Sequence, residues 1–491
     1  MRFVKRRRDS LRRGYEYWSS TYYTPTLRTS YRLLHVVGSM LALLVLLSIV
    51  SILVVVPVLS PLFIGIRRVD PAIYDDLVEG RPVTVYVSYK GYLDMKCSRQ
   101  WFFGEVKICK TVLHSLDELN KLLSKNSVLS IYGAKTIRSP PLHYLSIESY
   151  NFTEIDIDNV FHRVTGLWCG RNITVAVIDT GIDYTHPDFF DADGRSIIRI
   201  LVSVLYVWAN TSEYVAWDLE ENPNITELLE FDKSVWLQYG EPAFLDINGH
   251  GTHVAGIIAG RGWASHGKYM GIAPCTKLVV IKAFNREGIA SLDTVLEALE
   301  WVYNYSENYS IKILSISWGA TFASDGNDPL SLACERIYLD RHVWIFASAG
   351  NEGNFPTTIV VPAVAEHVVA VGAWDAYHDK LAPFSSLGTT VDGRMKPDFV
   401  ASGVMVVSTA SQYARFPREY MVGKYYVALS GTSMSAPVVA GIACNFIEYY
   451  RYWYGREPSL KDFIEWEKEN GRRVNPLFKD FITGYGIPIS P

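Results

Sequence analysis

Three short segments of the 491-residue chain combine residue types that can do chemistry together. Val175-Ala176-Val177-Ile178-Asp179-Thr180-Gly181 ends an apolar run on a carboxylate, and Gly181 lets the chain turn. Asn248-Gly249-His250-Gly251-Thr252-His253 crowds glycines around a histidine at the start of a helix. Ser430-Gly431-Thr432-Ser433-Met434-Ser435-Ala436-Pro437 puts a serine at the N-terminus of an apolar helix running to about Tyr450. A serine hydroxyl attacks an amide carbonyl when a base takes its proton, and the base needs an acidic group to fix its tautomer. Asp179, His250 and Ser433 make up that set. A fourth segment, Ala347-Ser348-Ala349-Gly350-Asn351-Glu352-Gly353, brings a side-chain amide. Asn351 and the backbone N–H of Ser433, at a helix start, would donate to the developing oxyanion. Taken singly, Asp179 reads as a strand-end cap and Ser433 as a helix N-cap. Four such segments in order point to amide hydrolysis. His253, in the first turn of the same helix as His250, reads as a structural polar residue. Asp183 and Asp188 read as turn or surface residues, or as cation ligands.

These groups need a scaffold that gathers element ends in one place. From residue 172 onward, short apolar runs at 175–178, 278–283, 311–317, 344–347 and 368–371 alternate with helical stretches at 292–303 and 329–339. Asp328 followed by Pro329 is a strong helix start. The alternation predicts an α/β fold, a mostly parallel central sheet with helices on both faces. Such sheets collect functional groups at the carboxyl ends of their strands. Residues 70–148 read as a small α+β unit. Its signals are a strand at 82–89, a capping box of Ser115 and Glu118, and a returning strand at 128–132. Ser139-Pro140-Pro141 marks a boundary, leaving 149–491 for the catalytic domain.

The four segments resemble those of the subtilisin-like serine peptidases, in the order Asp, His, Ser. The resemblance covers roughly 172–485 and extends to Ser317-Trp318-Gly319, Phe384-Ser385-Ser386 and Lys396-Pro397-Asp398. It implies a serine endopeptidase that needs no cofactor for its chemistry and acts on polypeptides. It also implies that Ser317, Trp318 and Gly319 pair with substrate backbone as an added strand. Ala349 and Gly350 would line the pocket for the residue before the cleaved bond. Val360 and Val361 would close that pocket, giving a preference for apolar or aromatic side chains. Asp325 and Asp328 keep a kexin-like basic preference as the lesser option. The 70–148 unit resembles, more loosely, the family's inhibitory propeptide, which implies a zymogen that processes itself between about residues 139 and 161. Two departures stand out. The stretch at 197–245 is longer than in short secreted members, and reads as a surface excursion, a cleft cap or a calcium site. The loop at 261–270 lacks Asp, Glu and Asn, so the family's calcium site there keeps only Asp188, and metal ligands are undetermined. The competing readings are a catalytically silent binding or scaffold protein on the same fold, and a dedicated maturation protease for surface proteins.

Upstream, residues 33–66 carry no Lys, Arg, Asp or Glu, long enough to cross a bilayer. Eight Lys and Arg residues lie between 5 and 32, so the basic tail 1–32 is expected in the cytoplasm. A single-pass cell-membrane protein with an extracellular catalytic domain follows. Asn151, Asn172, Asn210, Asn224, Asn304 and Asn308 begin N-x-S/T sequons, in keeping with that side of the membrane. The six cysteines include no C-x-x-C pair. They read either as buried thiols or as disulfides, Cys97 and Cys109 being the best pair because they flank a hairpin. The net charge of -4, from 47 Lys+Arg against 51 Asp+Glu, gives no hint of nucleic acid.

Overall fold

The computed structural model describes residues 69–139, 168–205 and 214–491. The expected basic tail, the membrane segment at 33–66 and the boundary stretch at 140–167 lie outside the described residues. No helix among the described residues is long and apolar enough to cross a membrane.

The upstream unit runs α1 (Ala72–Val78), β1 (Val83–Lys90), β2 (Arg99–Phe103), β3 (Val106–Leu113), α2 (Leu116–Leu123), β4 (Val128–Gly133) and β5 (Thr136–Arg138). Four of its strands form one antiparallel sheet in the order β2-β3-β1-β4. Ser115 caps α2 by accepting Glu118 N–H. The expected reciprocal bond falls one residue earlier, from His114 N–H to the Glu118 carboxylate. One sheet face packs on α1 and α2 around Val85, Val87, Leu119 and Ile131. The Cys97–Cys109 disulfide expected from the hairpin is formed, with Cα atoms 5.5 Å apart.

The larger body continues with β6 (Thr174–Asp179), β7 (Ile198–Ser203), β8 (Val215–Asp218), α3 (Ile225–Tyr239), α4 (His250–Ala259), β9 (Lys277–Lys282), β10 (Ile289–Ser291) and α5 (Leu292–Tyr305). Then follow β11 (Ile311–Ile316), α6 (Pro329–Arg341), β12 (Trp344–Ser348), β13 (Val368–Asp375), β14 (Lys380–Leu381), β15 (Phe399–Ser402) and β16 (Val406–Thr409). The chain ends with β17 (Met421–Val422), β18 (Tyr426–Leu429), α7 (Thr432–Tyr454) and α8 (Leu460–Asn470). The central sheet runs β14-β13-β12-β11-β6-β9-β7-β8, with β15 beside β13. Its interior pairings are parallel; only the edge strands β14 and β8 run antiparallel.

The sequence of β6 shows why the sheet is covered twice. Val175 and Val177 face one core, Ala176 and Ile178 the other, and none is exposed. A period of two with both sets apolar leaves no solvent face. Helices α4 and α7 contribute to the first core, and α5 and α6 to the second. The second core also takes in Tyr86, Trp101, Phe103 and Ile108 of the upstream sheet, so that unit sits on α5 and α6. The long stretch before His250 builds regular structure over its described residues. It adds β8 to the sheet edge and then α3, whose Leu228 and Asp232 are fully buried. A second disulfide, Cys169–Cys275, was not foreseen, while Cys334 and Cys444 are buried thiols.

Candidate active site

Asp179 ends β6, and His250 begins α4. Their approach depends on two positions without side chains. A Cβ on Gly251 would lie 2.3 Å from the Gly181 carbonyl, and one on Gly181 would lie 2.4 Å from the Phe244 carbonyl. With both clear, His250 Nδ1 sits 2.8 Å from Asp179 Oδ1, and both residues are buried. Facing a carboxylate, Nδ1 carries the proton, which leaves Nε2 as the basic nitrogen. His250 Nε2 is buried and has no hydrogen-bond partner among the described residues. Burial opposes charging the imidazole, but the Asp179 charge, its hydrogen bond and the charge of Asp246 outweigh this. The His250 pKa is therefore raised above its ordinary value.

Ser433 lies in the first turn of α7. Pro437, four residues on, has no N–H, so the Ser433 carbonyl lacks its helical partner. The Ser317 hydroxyl fills that role at 2.9 Å. The Ser433 hydroxyl in turn donates to the Ser317 carbonyl, also at 2.9 Å. Ser433 is thus tied to the residue after β11 by two reciprocal bonds, and a rotation about its side chain would free the hydroxyl. Asn351 follows β12. Its Oδ1 accepts Thr432 N–H and the Thr432 hydroxyl, each at 2.9 Å. That fixes the amide, and Nδ2 is buried without a hydrogen-bond partner beside Gly431. An amide donor held this way, next to a helix N-terminus, is suited to receive an oxyanion.

Sequence reasoning missed the residue that holds this set together. Asp246 Oδ1 accepts the Thr180 hydroxyl and the N–H groups of Asn248 and Gly249, while Oδ2 accepts the N–H and hydroxyl of Thr252. It joins the end of β6 to the start of α4. An Asp two residues before the Asn-Gly-His triplet was the available signal, an Asx-turn ahead of a helix. Lys282, paired in register with Asp179, is buried and supports the same segment, with Nζ 2.7 Å from the Leu245 carbonyl and 3.0 Å from Glu241.

His253 has the structural role expected of it. Its Nε2 lies 3.0 and 3.1 Å from the carbonyls of Val406 and Val427, and burial depresses its pKa to about 3. Asp183 is a turn residue that accepts Thr185 and Gln412 N–H. Asp188 is buried, with one oxygen on Ala264 N–H and the other on the Tyr426 hydroxyl. Proton donors thus fill the place of a cation, and the donor set here does not fit calcium. No group of three or more acidic, His or Cys side chains suited to a metal occurs among the described residues. Asp328 is buried and caps α6 through Ser331 N–H, so of the two carboxylates named for a kexin-like basic preference only Asp325 is partly exposed.

Of Ser317, Trp318 and Gly319, expected to pair with an added strand, Gly319 pairs with the upstream unit. Arg138 of β5 pairs antiparallel with Gly319, its N–H 3.4 Å from the Gly319 carbonyl and its carbonyl 3.2 Å from Gly319 N–H. On the other side β5 pairs antiparallel with β10, and Ser139 N–H donates to the Gly288 carbonyl at 2.9 Å. Ile137 points inward and is fully buried. Ala349 and Gly350 line the neighbouring space with Gly319. A Cβ on Gly319 or Gly350 would lie 2.5 or 2.7 Å from a methyl of Val360, so Val360 fills the gap between the two glycines.

The sequence profile of the subtilase family (Peptidase_S8) matches residues 170–486, well over half of the chain. Serine protease AprX of Bacillus subtilis (strain 168) is 34% identical over 294 residues, covering 57% of this chain and 58% of that protein. A thermophilic serine proteinase of Bacillus sp. (strain AK1) is 32% identical over 277 residues, 55% of this chain and 50% of its own. The matches thus span little more than half the length of these relatives. Among solved structures, the CspB protease of Clostridium perfringens superposes with a TM-score of 0.56 over 68% of this chain and 97% of that one, at 18% identity, a likeness of fold.

Proposed function

The chain belongs to the subtilase family, and on that premise we propose that it is a serine endopeptidase with Ser433 as nucleophile, His250 as general base and Asp179 as orienting carboxylate. The observation that carries the proposal is the buried 2.8 Å contact of His250 Nδ1 with Asp179, which leaves Nε2 basic and without a hydrogen-bond partner. Ser433 attacks the substrate carbonyl as His250 Nε2 takes its proton. Asn351 Nδ2 and the Ser433 N–H hold the oxyanion, and His250 returns the proton to the leaving amine. Water repeats the sequence on the acyl-enzyme. No cofactor enters these steps. The Ser433→Ala chain should lose on the order of six decades of turnover on a quenched-fluorescent peptide library. Turnover unchanged by that substitution would sink the proposal.

The substrate is a polypeptide bound in extended form along 317–319, as β5 is bound now. The expected apolar preference narrows to small apolar side chains before the cleaved bond, because Val360 fills the pocket between Gly319 and Gly350. Val360→Gly should shift the preference toward Phe by about tenfold, the scale of a few methylenes in an apolar pocket. An unchanged profile in the library assay contradicts this pocket assignment.

The upstream unit is proposed as an inhibitory propeptide, because β5 lies on the edge that substrate would use. Pro141 makes the 140–141 bond a tertiary amide, so the self-cleavage expected between 139 and 161 is assigned to the stretch after Pro141. We further propose tethering to the cell membrane through 33–66 with the catalytic domain outside. The apolar run and its basic flank support this, as do the exposed sequons Asn172, Asn224, Asn304 and Asn308.

A further inference from the structure

The stretch between Asp179 and His250 carries a buried carboxylate with no place in the chemistry above. Asp232 lies in the middle of α3, fully buried. Its Oδ1 accepts Phe244 N–H at 3.0 Å, and its Oδ2 accepts Leu245 N–H at 2.8 Å and the Tyr184 hydroxyl at 3.2 Å. A helix-borne charge thus takes two consecutive backbone donors from a segment that has no regular structure of its own. Charge-assisted bonds of this kind are about twice as strong as neutral ones.

The segment it holds leads directly into the site. The Phe244 carbonyl accepts Ile182 N–H at 3.1 Å and lies against Gly181, two residues from Asp179. The Leu245 carbonyl accepts Lys282 Nζ at 2.7 Å. The next residue is Asp246, whose two oxygens tie Thr180 to Asn248, Gly249 and Thr252 around His250. Asp232 therefore fixes the backbone from which Asp246 reaches both sides of the Asp179–His250 pair. Tyr184 closes the loop, since it follows Asp179 by five residues and donates to the same carboxylate.

We propose that Asp232 is a positioning residue for catalysis. Helix α3 holds residues 244–246 at the height where Asp246 can lock His250 onto Asp179. This inference rests on the peptidase reading. Asp232 touches neither the substrate track nor the triad, so it acts only through Asp246 and the backbone.

The test is the rate at which a small fluorophosphonate labels Ser433 in the full chain. Asp232→Ala and Asp232→Asn are compared with Leu228→Ala, which disturbs the buried face of the same helix without touching the 244–245 donors. Thermal melting of each variant is recorded alongside. Asp232→Ala should label roughly 10- to 100-fold more slowly than wild type, the cost of an ångström-scale misplacement. Asp232→Asn, which keeps one acceptor oxygen, should fall between the two and carries the test if Asp232→Ala does not fold. Leu228→Ala should label at the wild-type rate below its melting point, even with a melting temperature lowered as far as that of the Asp232 variants. Asp232 variants that label at the wild-type rate, or a Leu228→Ala chain slowed equally, overturn the inference. A wild-type chain that does not label overturns the peptidase reading and this inference together, whereas labelling unaffected by Asp232 overturns the inference alone.

Discussion

The two faces of the central sheet are built differently. On one, α4 and α7 start at the site and are buried from the first turn; all ten residues of α4 are enclosed. Beyond the His250–Asp179 pair, the Asp246 bonds to Thr252 and ion pairs of Glu448 and Arg451 farther along α7, they are packed by backbone groups, hydroxyls and apolar side chains, as where His253 meets the carbonyls of Val406 and Val427. On the other face, α5 and α6 meet the upstream unit through charges. Arg99 pairs with Glu297, Lys110 with Asp293, and Arg336 with Glu105, while Trp101 Nε1 and Phe102 N–H donate to Glu297 and Glu300. Trp101 and Phe103 sit among these charges, fully buried. The first face holds atoms where chemistry requires them. The second holds a unit against the cleft with contacts that lose strength when one partner is altered or screened.

This contrast predicts different responses on the two faces. On the site face, Asn351→Ala removes the proposed oxyanion donor and should cost about 10²- to 10³-fold in kcat with little change in KM. A loss confined to KM would move Asn351 from the transition state to ground-state binding. On the other face, Glu297→Ala strands Arg99 and Trp101 and should ease opening of the upstream unit by about 2 kcal/mol or more. Hydrogen exchange in β2 and β3 would show it, while the His250–Asp179 pair stays intact. Equal protection in both chains would mean that the apolar contacts alone hold the unit.

The smallest effect concerns His253. Its folded pKa is depressed to about 3 against about 6.5 in an unfolded chain, so the unfolded state binds a proton first as pH falls. Its contribution to stability is therefore full above about pH 6.5 and declines by up to about 1.4 kcal/mol per pH unit toward pH 3. His253→Gln should flatten that part of the stability curve in denaturant titrations at pH 4 to 7. His250 behaves oppositely, since its raised pKa moves the acid limb of activity upward.

What could be read from the sequence follows the same division. Asp179, His250, Asn351 and Ser433 were legible because each sits at the end of an element whose period and caps are local signals. The parallel sheet was legible in runs such as that of β6, apolar on both faces. Asp246 and Asp232 were not, because their meaning lies in backbone donors at chain positions that only the fold brings near. The Cys169–Cys275 bridge escaped for that reason, spanning 106 residues, whereas Cys97–Cys109 lies across one hairpin. Asp188 read from the sequence as a turn or surface residue or a cation ligand, and its burial against Tyr426, from a distant strand, was not legible. The expectation that Val360 closes the primary pocket came from the resemblance, and only the fold brings its methyls against both Gly319 and Gly350.

The central claim is that a single serine is activated by the His250–Asp179 pair. Mass spectrometry of the full chain after treatment with a small fluorophosphonate tests it most directly. The account predicts one adduct, on the peptide that carries Ser433, and its loss when His250 is replaced by alanine. A chain that takes up no label, or an adduct that persists on Ser433 without His250, would contradict it.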